Sequence, residues 1–495
     1  MNPALVVIGA FFALALVLGL LARRGQTMGL EQWSLGGRGF GAIFVFMLMA
    51  GEVYTTFTFL GGSGWAYGKG APAFYVLCSG SIAYSMSYFL LPQIWRYGKA
   101  HGLVSQADFF IAKYDSRPLG VLVALVSVVA LVPYLVLQLT GLGIIVSEAS
   151  YGSITPQTAI WTGSAALVTF VVVSGVRGAA WNAALKDVMI VVVAVFVGVY
   201  LPFHYYGGYG AMFAAIEDAK PGYFTLPSSG MSVSWLISTV LLTSLGFYMW
   251  PHTFATAYTA SSEDVFRKNA VVLPLYQLVL LFVLFAGFAA VLQVPGLSGA
   301  DVDLSLLRVS RLAFSPWIVG VIGAAGVLTA LVPGSMLLIT SATVLAQNVY
   351  RGLVPEADDR QVSLVARACV PMVALVAVGL ALHGGSAIVP LLLMGYSLVT
   401  QLFPALILRL DERQRGTAAG AFAGILAGEL TVAYLTISGS TLSTLVPGAP
   451  QMIKDLNVGL VALVVNVLVL AVVSFATKSS GGRSLGAWPS SPRQS

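Results

Sequence analysis

The sequence predicts an all-α, polytopic membrane protein, and three observations carry that expectation. Hydrophobic residues make up 58% of the chain and charged residues only 9%, too little charge to keep 495 residues in water. The apolar residues gather into about thirteen windows, each near the ~20 residues that a helix needs to cross a bilayer core. Two of these windows are interrupted by glycine or proline, at matching places in two groups of five.

In chain order the windows fall at 4–22, 40–66, 71–95, 119–147, 157–175, 181–203, 233–259, 270–293, 313–348, 365–383, 386–409, 417–438 and 456–477. Residues 1–39 supply an extra helix and a loop, 40–203 the first group of five, 204–232 an extracellular loop, and 233–409 the second group. Residues 410–477 add two closing helices, and the Ser/Gly/Pro-rich stretch 478–495 reads as a disordered cytoplasmic tail. Window 4–22 has no basic segment before it and Arg23-Arg24 after it, so it reads as a retained anchor rather than a cleaved signal.

Loop charge sets the orientation, because basic loops stay cytoplasmic. With the N-terminus outside, Arg23, Arg24, Arg38, Arg96, Lys99, Lys113, Arg117, Arg267, Lys268, Arg351 and Arg360 all fall on the cytoplasmic side. Only Lys69, Lys220, Arg308, Arg311 and Lys454 fall outside. The C-terminus is then cytoplasmic. The net charge of +6 expresses this bias and implies no nucleic-acid partner. Cys78 and Cys369 lie in apolar windows without metal-ligand spacing. No Walker loop, dinucleotide fingerprint or metal cluster occurs, so neither an ATPase, an enzyme nor a cofactor is expected.

The first interruption is "FLGGSG", residues 59–64. Each glycine weakens a helix by about 1 kcal/mol relative to alanine, and a freed backbone group in lipid costs several more. The second is "LLTSLGFYMWPHTFATAYTA", residues 241–260, where Pro251 removes a backbone donor and Gly246 loosens the turn before it. Each opens a group of five windows, and because five is odd the groups have opposite topology. Paired broken helices in inverted halves mark the binding site of a secondary transporter. The competing reading is that the glycines only let helices approach closely. If the second half-helix begins near Gly62, Ser63 and Gly64, their amides favour an anion.

The chain resembles the sodium:solute symporter family in "TFLGGSGWAYGKG" (58–70), "VSQADFFIAKYDSRPLG" followed by "VPYLVLQLTG", "SGVRGAAWNAALKD" (174–187), "GFYMWPHTFATAYTASSEDVFRKN" (246–269) and "LTALVPGSMLLITSATVLAQNVYR" (328–351). The resemblance implies a leucine-transporter-type inverted five-helix repeat with two broken helices. "EVYTTFTFLGGSGWAYGKG" and "LVPGSMLL" are most similar to bacterial monocarboxylate permeases, implying a symporter of lactate, pyruvate or propionate.

Two departures bear on the coupling ion. Sodium-using members carry a Ser-Thr pair in the ninth span and a Thr-Asp pair after a Trp in the sixth. Here Val332-Pro333 and Asn182-Ala183 stand in those places, which leaves a sodium site short of oxygens. A remaining sodium site would lie near Thr56, Phe59, Thr329 and Ser335, with Thr340 and Ser341 beyond. One turn past Ala183 come Lys186 and Asp187, and ionisable groups inside a span are functional by default. The lysine ammonium can stand in for sodium and exchange its proton. Adjacent helical residues point about 100° apart, so this pair is not expected to neutralise itself. In the competing reading Lys186 snorkels to the interface.

The expected ion-coupling set is therefore Thr56, Glu52, Lys186, Asp187 and Ser335, with protons favoured over sodium. The expected substrate set is Phe59, Gly62, Ser63, Gly64, Tyr134, Gln138, Trp250 and His252, around a small organic anion. Each has a structural alternative: helix hydrogen bonding for Glu52, Thr55, Thr58, Tyr134 and Gln138, helix bracing for His252, and packing for Phe247, Tyr248 and Trp250. Glu148 reads as a solvated cap. A zwitterion such as an amino acid, coupled to sodium with Glu52 as counter-charge, is the alternative cargo, and an anion channel the alternative class.

Overall fold

The computed structural model describes residues 2–24, 29–384, 387–410 and 415–478. The tail expected at 478–495 lies outside the described residues from position 479 onward. Among the described residues the only regular structure is helical, as the apolar windows require. Ten helices among the described residues are long and apolar enough to cross a membrane, or eleven if one bent pair counts as a span.

Helix α1 (Pro3–Arg23) starts where the Asn2 side chain accepts from the Ala4 amide and Pro3 presets the first turn. Next come α2 (Ala42–Gly51) and, after a gap, a π-helical turn Phe57–Gly61 that runs into α3 (Gly62–Lys69). Helices α4 (Tyr75–Ala100) and α5 (Arg117–Ala149) follow, the latter capped by Ser116. Helix α6 (Pro156–Tyr206) has 51 residues, about 76 Å at 1.5 Å per residue and more than twice a bilayer core. Gly175 divides it at φ 58°, ψ −157°, and a side chain there would strike the Trp33 carbonyl at 2.6 Å. Only glycine meets both demands.

The second half comprises α7 (Val233–Gly246), a tight turn Phe247–Met249, α8 (Pro251–Thr259), α9 (Asp264–Gln277), α10 (Leu280–Gln293), α11 (Pro316–Val344), α12 (Asp359–His383) and α13 (Ile388–Val399). Helices α14 (Ala418–Ser438) and α15 (Val458–Lys478) pack on one another. Residues 322–344 of α11 are all buried, which makes this helix the central post.

Both broken segments exist, one of them elsewhere than the glycines suggest. The second breaks at Trp250 (φ −64°, ψ 130°) between α7 and α8, with a bend of 49°. The first breaks at residues 52–55, ahead of "FLGGSG". Gly61, Gly62 and Gly64 lie inside the helix, where Gly61 and Gly64 serve packing. A Cβ on Gly64 would come within 2.6 Å of Asp303 Oδ1, and one on Gly61 within 3.0 Å of Ile388. The amides at 62–64 are therefore not the start of a half-helix. A helix in lipid opens where tertiary partners receive its freed groups, and such partners outweigh glycine's small propensity penalty.

The two broken segments meet. Phe40 N donates to Thr259 O at 3.0 Å and Ser261 N to Phe40 O at 3.0 Å, so the start of one lies beside the end of the other. They therefore cross in opposite directions.

Candidate functional site

The first break exposes the carbonyls that end α2 and the amides that begin the π-helical turn. A helix end leaves such groups without intrahelical partners. Lys186, on α6, takes the carbonyls: its Nζ donates to Gly51 O at 2.9 Å and Tyr54 O at 3.0 Å. A cation at a helix C-terminus also suits the helix dipole. The amide end is met by side chains. Thr55 Oγ1 accepts from Phe57 N at 3.1 Å, while Gln138 Oε1 accepts from Thr56 Oγ1 at 2.6 Å and Thr56 N at 3.3 Å.

Lys186 does not snorkel, because its side chain is 0% exposed. It also forms an ion pair with Asp187 Oδ1 at 3.0 Å, against the expectation that neighbours on a helix stay apart. The Cα–Cβ vectors do diverge, but four methylenes let the ammonium fold back to the carboxylate. A Cβ on Gly51 would come within 3.1 Å of Lys186 Nζ and 3.8 Å of the Ala183 methyl, so the ammonium and Ala183 face the same glycine. Asn182 faces away and donates to Ala15 O of α1 at 3.0 Å.

The residues of the expected sodium site spend their hydrogens locally. Thr329 Oγ1 donates to Gly326 O at 2.6 Å and Ser335 Oγ to Leu331 O at 2.7 Å, both within α11. Phe59 packs against Gly326 and Ile145. Ser63 donates to Phe59 O and Leu60 O, each at 2.9 Å, inside its own helix.

Next to the break lies a cleft of roughly 430 Å³, counted as space outside atoms. Of the residues weighed from sequence, Glu52, Thr58, Tyr134 and Phe247 line it. Thr256 Oγ1 on α8 donates to Glu52 Oε1 at 2.6 Å, and Tyr134 Oη donates to Glu52 O at 3.2 Å. This carboxyl thus joins the two broken segments. Trp250 and His252 stand behind Tyr134, with ring centroids 4.9 and 5.5 Å from it. Gln138, Phe59 and residues 62–64 are not among the cleft's lining.

Tyr75, Ser79, Gln277 and Tyr396 line the cleft without having been anticipated. Gln277 carried a readable signal, an amide inside an otherwise apolar window. The tyrosines carried none, since aromatic residues are common packing residues.

Away from the spans, Asp303 in the turn Gly299–Leu304 is 1% exposed. Its Oδ2 accepts from the Ile388 amide at 2.9 Å, at the first turn of α13. Burial pushes its carboxyl up to about 7, and the Ile388 bond opposes that rise. Glu148, expected as a solvated cap, pairs with Arg311 at 2.5 Å and Arg308 at 3.4 Å.

A model of the sodium:solute symporter family matches residues 33–428. The chain is 60% identical over 480 residues to "Uncharacterized symporter YhjB" of Bacillus subtilis (strain 168), covering 97% of this chain and 98% of that protein. It is 30% identical over 488 residues to the monocarboxylate transport permease protein of Rhizobium johnstonii, covering 96% of each. Its fold is that of a Na+-coupled sialic acid symporter solved in a substrate-bound outward-open state, with a TM-score of 0.78, 16% identity, and coverage of 97% and 98%. With the matched region spanning both broken helices and the cleft between them, the chain belongs to the sodium:solute symporter family.

Proposed function

We propose that this protein is a secondary active symporter that imports a small monocarboxylate together with a proton. The observation that carries the reading is the Lys186 ammonium on the Gly51 and Tyr54 carbonyls. Unwound carbonyls in broken transporter helices are cation sites, and here a side chain of the protein supplies the cation. Val332 and Pro333, both buried in α11, supply no side-chain oxygen for a second cation.

The cargo follows from similarity to the Rhizobium permease along almost the whole chain and from charge. Glu52 lines the cleft, and an anionic substrate enters beside it only if the two share a proton. Proton and acid then travel as one neutral load. When Lys186 gives up its proton, the positive charge that holds the Gly51 and Tyr54 carbonyls and Asp187 is lost, which weakens the hold of α6 on the break. The reading places thirteen spans in the plasma membrane, counting the first broken segment as one and α6 as two. It puts the N-terminus outside and the C-terminus inside, with inverted repeats at 40–203 and 233–409.

The test is uptake of labelled lactate, pyruvate and propionate into proteoliposomes with proton and sodium gradients imposed separately. Accumulation driven by an inward proton gradient without sodium is expected. Accumulation that requires sodium would overturn the role given to Lys186, and transport of none of the acids would overturn the cargo.

A further inference from the structure

Most polar side chains around the cleft are already satisfied. Ser79 Oγ donates to Val76 O at 3.1 Å, Thr58 Oγ1 to Thr55 O at 2.9 Å and Thr243 Oγ1 to Thr239 O at 2.7 Å, each within its own segment. Tyr134 is committed to the Glu52 carbonyl. Tyr75 and Gln277 differ: Tyr75 Oη and Gln277 Oε1 are buried without a hydrogen-bond partner.

Both side chains are held in place. Gln277 is 1% exposed, and its Nε2 donates to Val76 O at 3.1 Å, which assigns the other end of the amide as a bare acceptor. It occupies a notch opened by Gly80, where a Cβ would come within 2.4 Å of Nε2. Tyr75, next in the chain to Val76, has its ring fixed edge-on between Trp65 and Trp235, at 5.7 and 5.8 Å. Buried polar atoms are normally paired, so two bare ones in the wall of one cleft need a partner from outside the fold.

We infer that Tyr75 and Gln277 form the subsite that reads the substituent on C2 of the transported acid, and that it selects 2-hydroxy acids. The inference rests on the monocarboxylate reading and sharpens it. A hydroxyl donates to Gln277 Oε1 and accepts from Tyr75 Oη at once. A keto oxygen only accepts, so it uses Tyr75 and leaves Gln277 bare. A methylene uses neither. The order is therefore lactate, then pyruvate, then propionate.

The test is competition against labelled lactate uptake in proteoliposomes by unlabelled lactate, pyruvate, propionate and alanine. Pyruvate is expected to compete about fivefold to tenfold less well than lactate, with propionate weaker by a similar factor again. Gln277→Met should bring lactate down to the level of pyruvate, and Tyr75→Phe should remove pyruvate's advantage over propionate. A structural role would instead lower all three together, and that result overturns the inference. Wild-type competition decides the matter even if a variant fails to fold, since equal competition by the three acids overturns the inference alone. Failure of every acid to be taken up, or stronger competition by alanine than by lactate, overturns the monocarboxylate reading and the inference with it.

Discussion

The Lys186 ammonium lies 2.9 Å from the carbonyl oxygen of Gly51, joining residues 135 positions apart at the point where a membrane helix stops. An open carbonyl in lipid needs a donor, and a buried ammonium needs acceptors. Each side meets the other's need, so the break and the lysine form one structural unit.

Lys186→Met is expected to abolish proton-driven uptake while substrate binding changes only a few-fold. It also strands Asp187, and breaking a buried ion pair costs about 3–5 kcal/mol. Thermal unfolding in detergent should show that loss. The double substitution of Lys186→Met with Asp187→Leu should recover the part of the stability lost to the stranded carboxylate, not the part lost at the bare Gly51 and Tyr54 carbonyls, and none of the driven uptake. Recovery of uptake in the double variant would reduce Lys186 to a structural cap.

Glu52→Gln retains a hydrogen-bond acceptor for the 2.6 Å bond from Thr256 but can no longer exchange a proton. Exchange of labelled for unlabelled acid across the membrane should survive, and accumulation against a gradient should not. Equal loss of exchange and accumulation would place Glu52 in binding rather than coupling.

Asp303 gives a pH dependence with a defined sign. Its carboxyl titrates near 7 in the folded protein against 3.8 ordinarily, so between those values the folded state holds a proton that the unfolded state releases. Stability from this site falls as pH rises toward 7, by up to about 1.4 kcal/mol per pH unit, and is flat above. Unfolding midpoints from pH 5 to 8 should lose this component in Asp303→Asn, and an unchanged slope would exclude Asp303 as its source.

Two adjacent glycine substitutions separate packing from breaking. Gly64→Ala drives a methyl to within 2.6 Å of Asp303 Oδ1 and 2.9 Å of Val302 O, at an expected cost of about 1–3 kcal/mol. Gly62→Ala meets nothing nearer than 3.9 Å and should be tolerated, gaining up to about 1 kcal/mol of helix propensity. Loss of function in Gly62→Ala with normal folding would return that amide to the binding site.

The helices were legible because crossing lipid demands long apolar runs, and Pro251 marked the second break because a missing donor is written in the residue itself. Lys186 and Glu52 stood out as ionisable groups in apolar windows. The first break was misplaced by several residues, since glycine in a helix signals close approach as readily as rupture. The expectation that the 62–64 amides meet the carboxylate rested on that misplaced break. Gln138 was noticed, but its task of capping the second half-helix was not.

By itself the sequence determined the helical membrane architecture, the pair of interrupted segments and the absence of side-chain oxygens at Val332 and Pro333. Those properties follow from residue chemistry and periodicity along one segment. Only the tertiary structure decided which atoms meet: Lys186 with Gly51 and Tyr54, Glu52 with Thr256, and Asp303 with Ile388. These partners lie between 85 and 204 positions apart, and no local pattern records a contact closed over such a distance. What fixes each one is the penalty of leaving a buried polar group unpaired, and only the assembled fold imposes that burial.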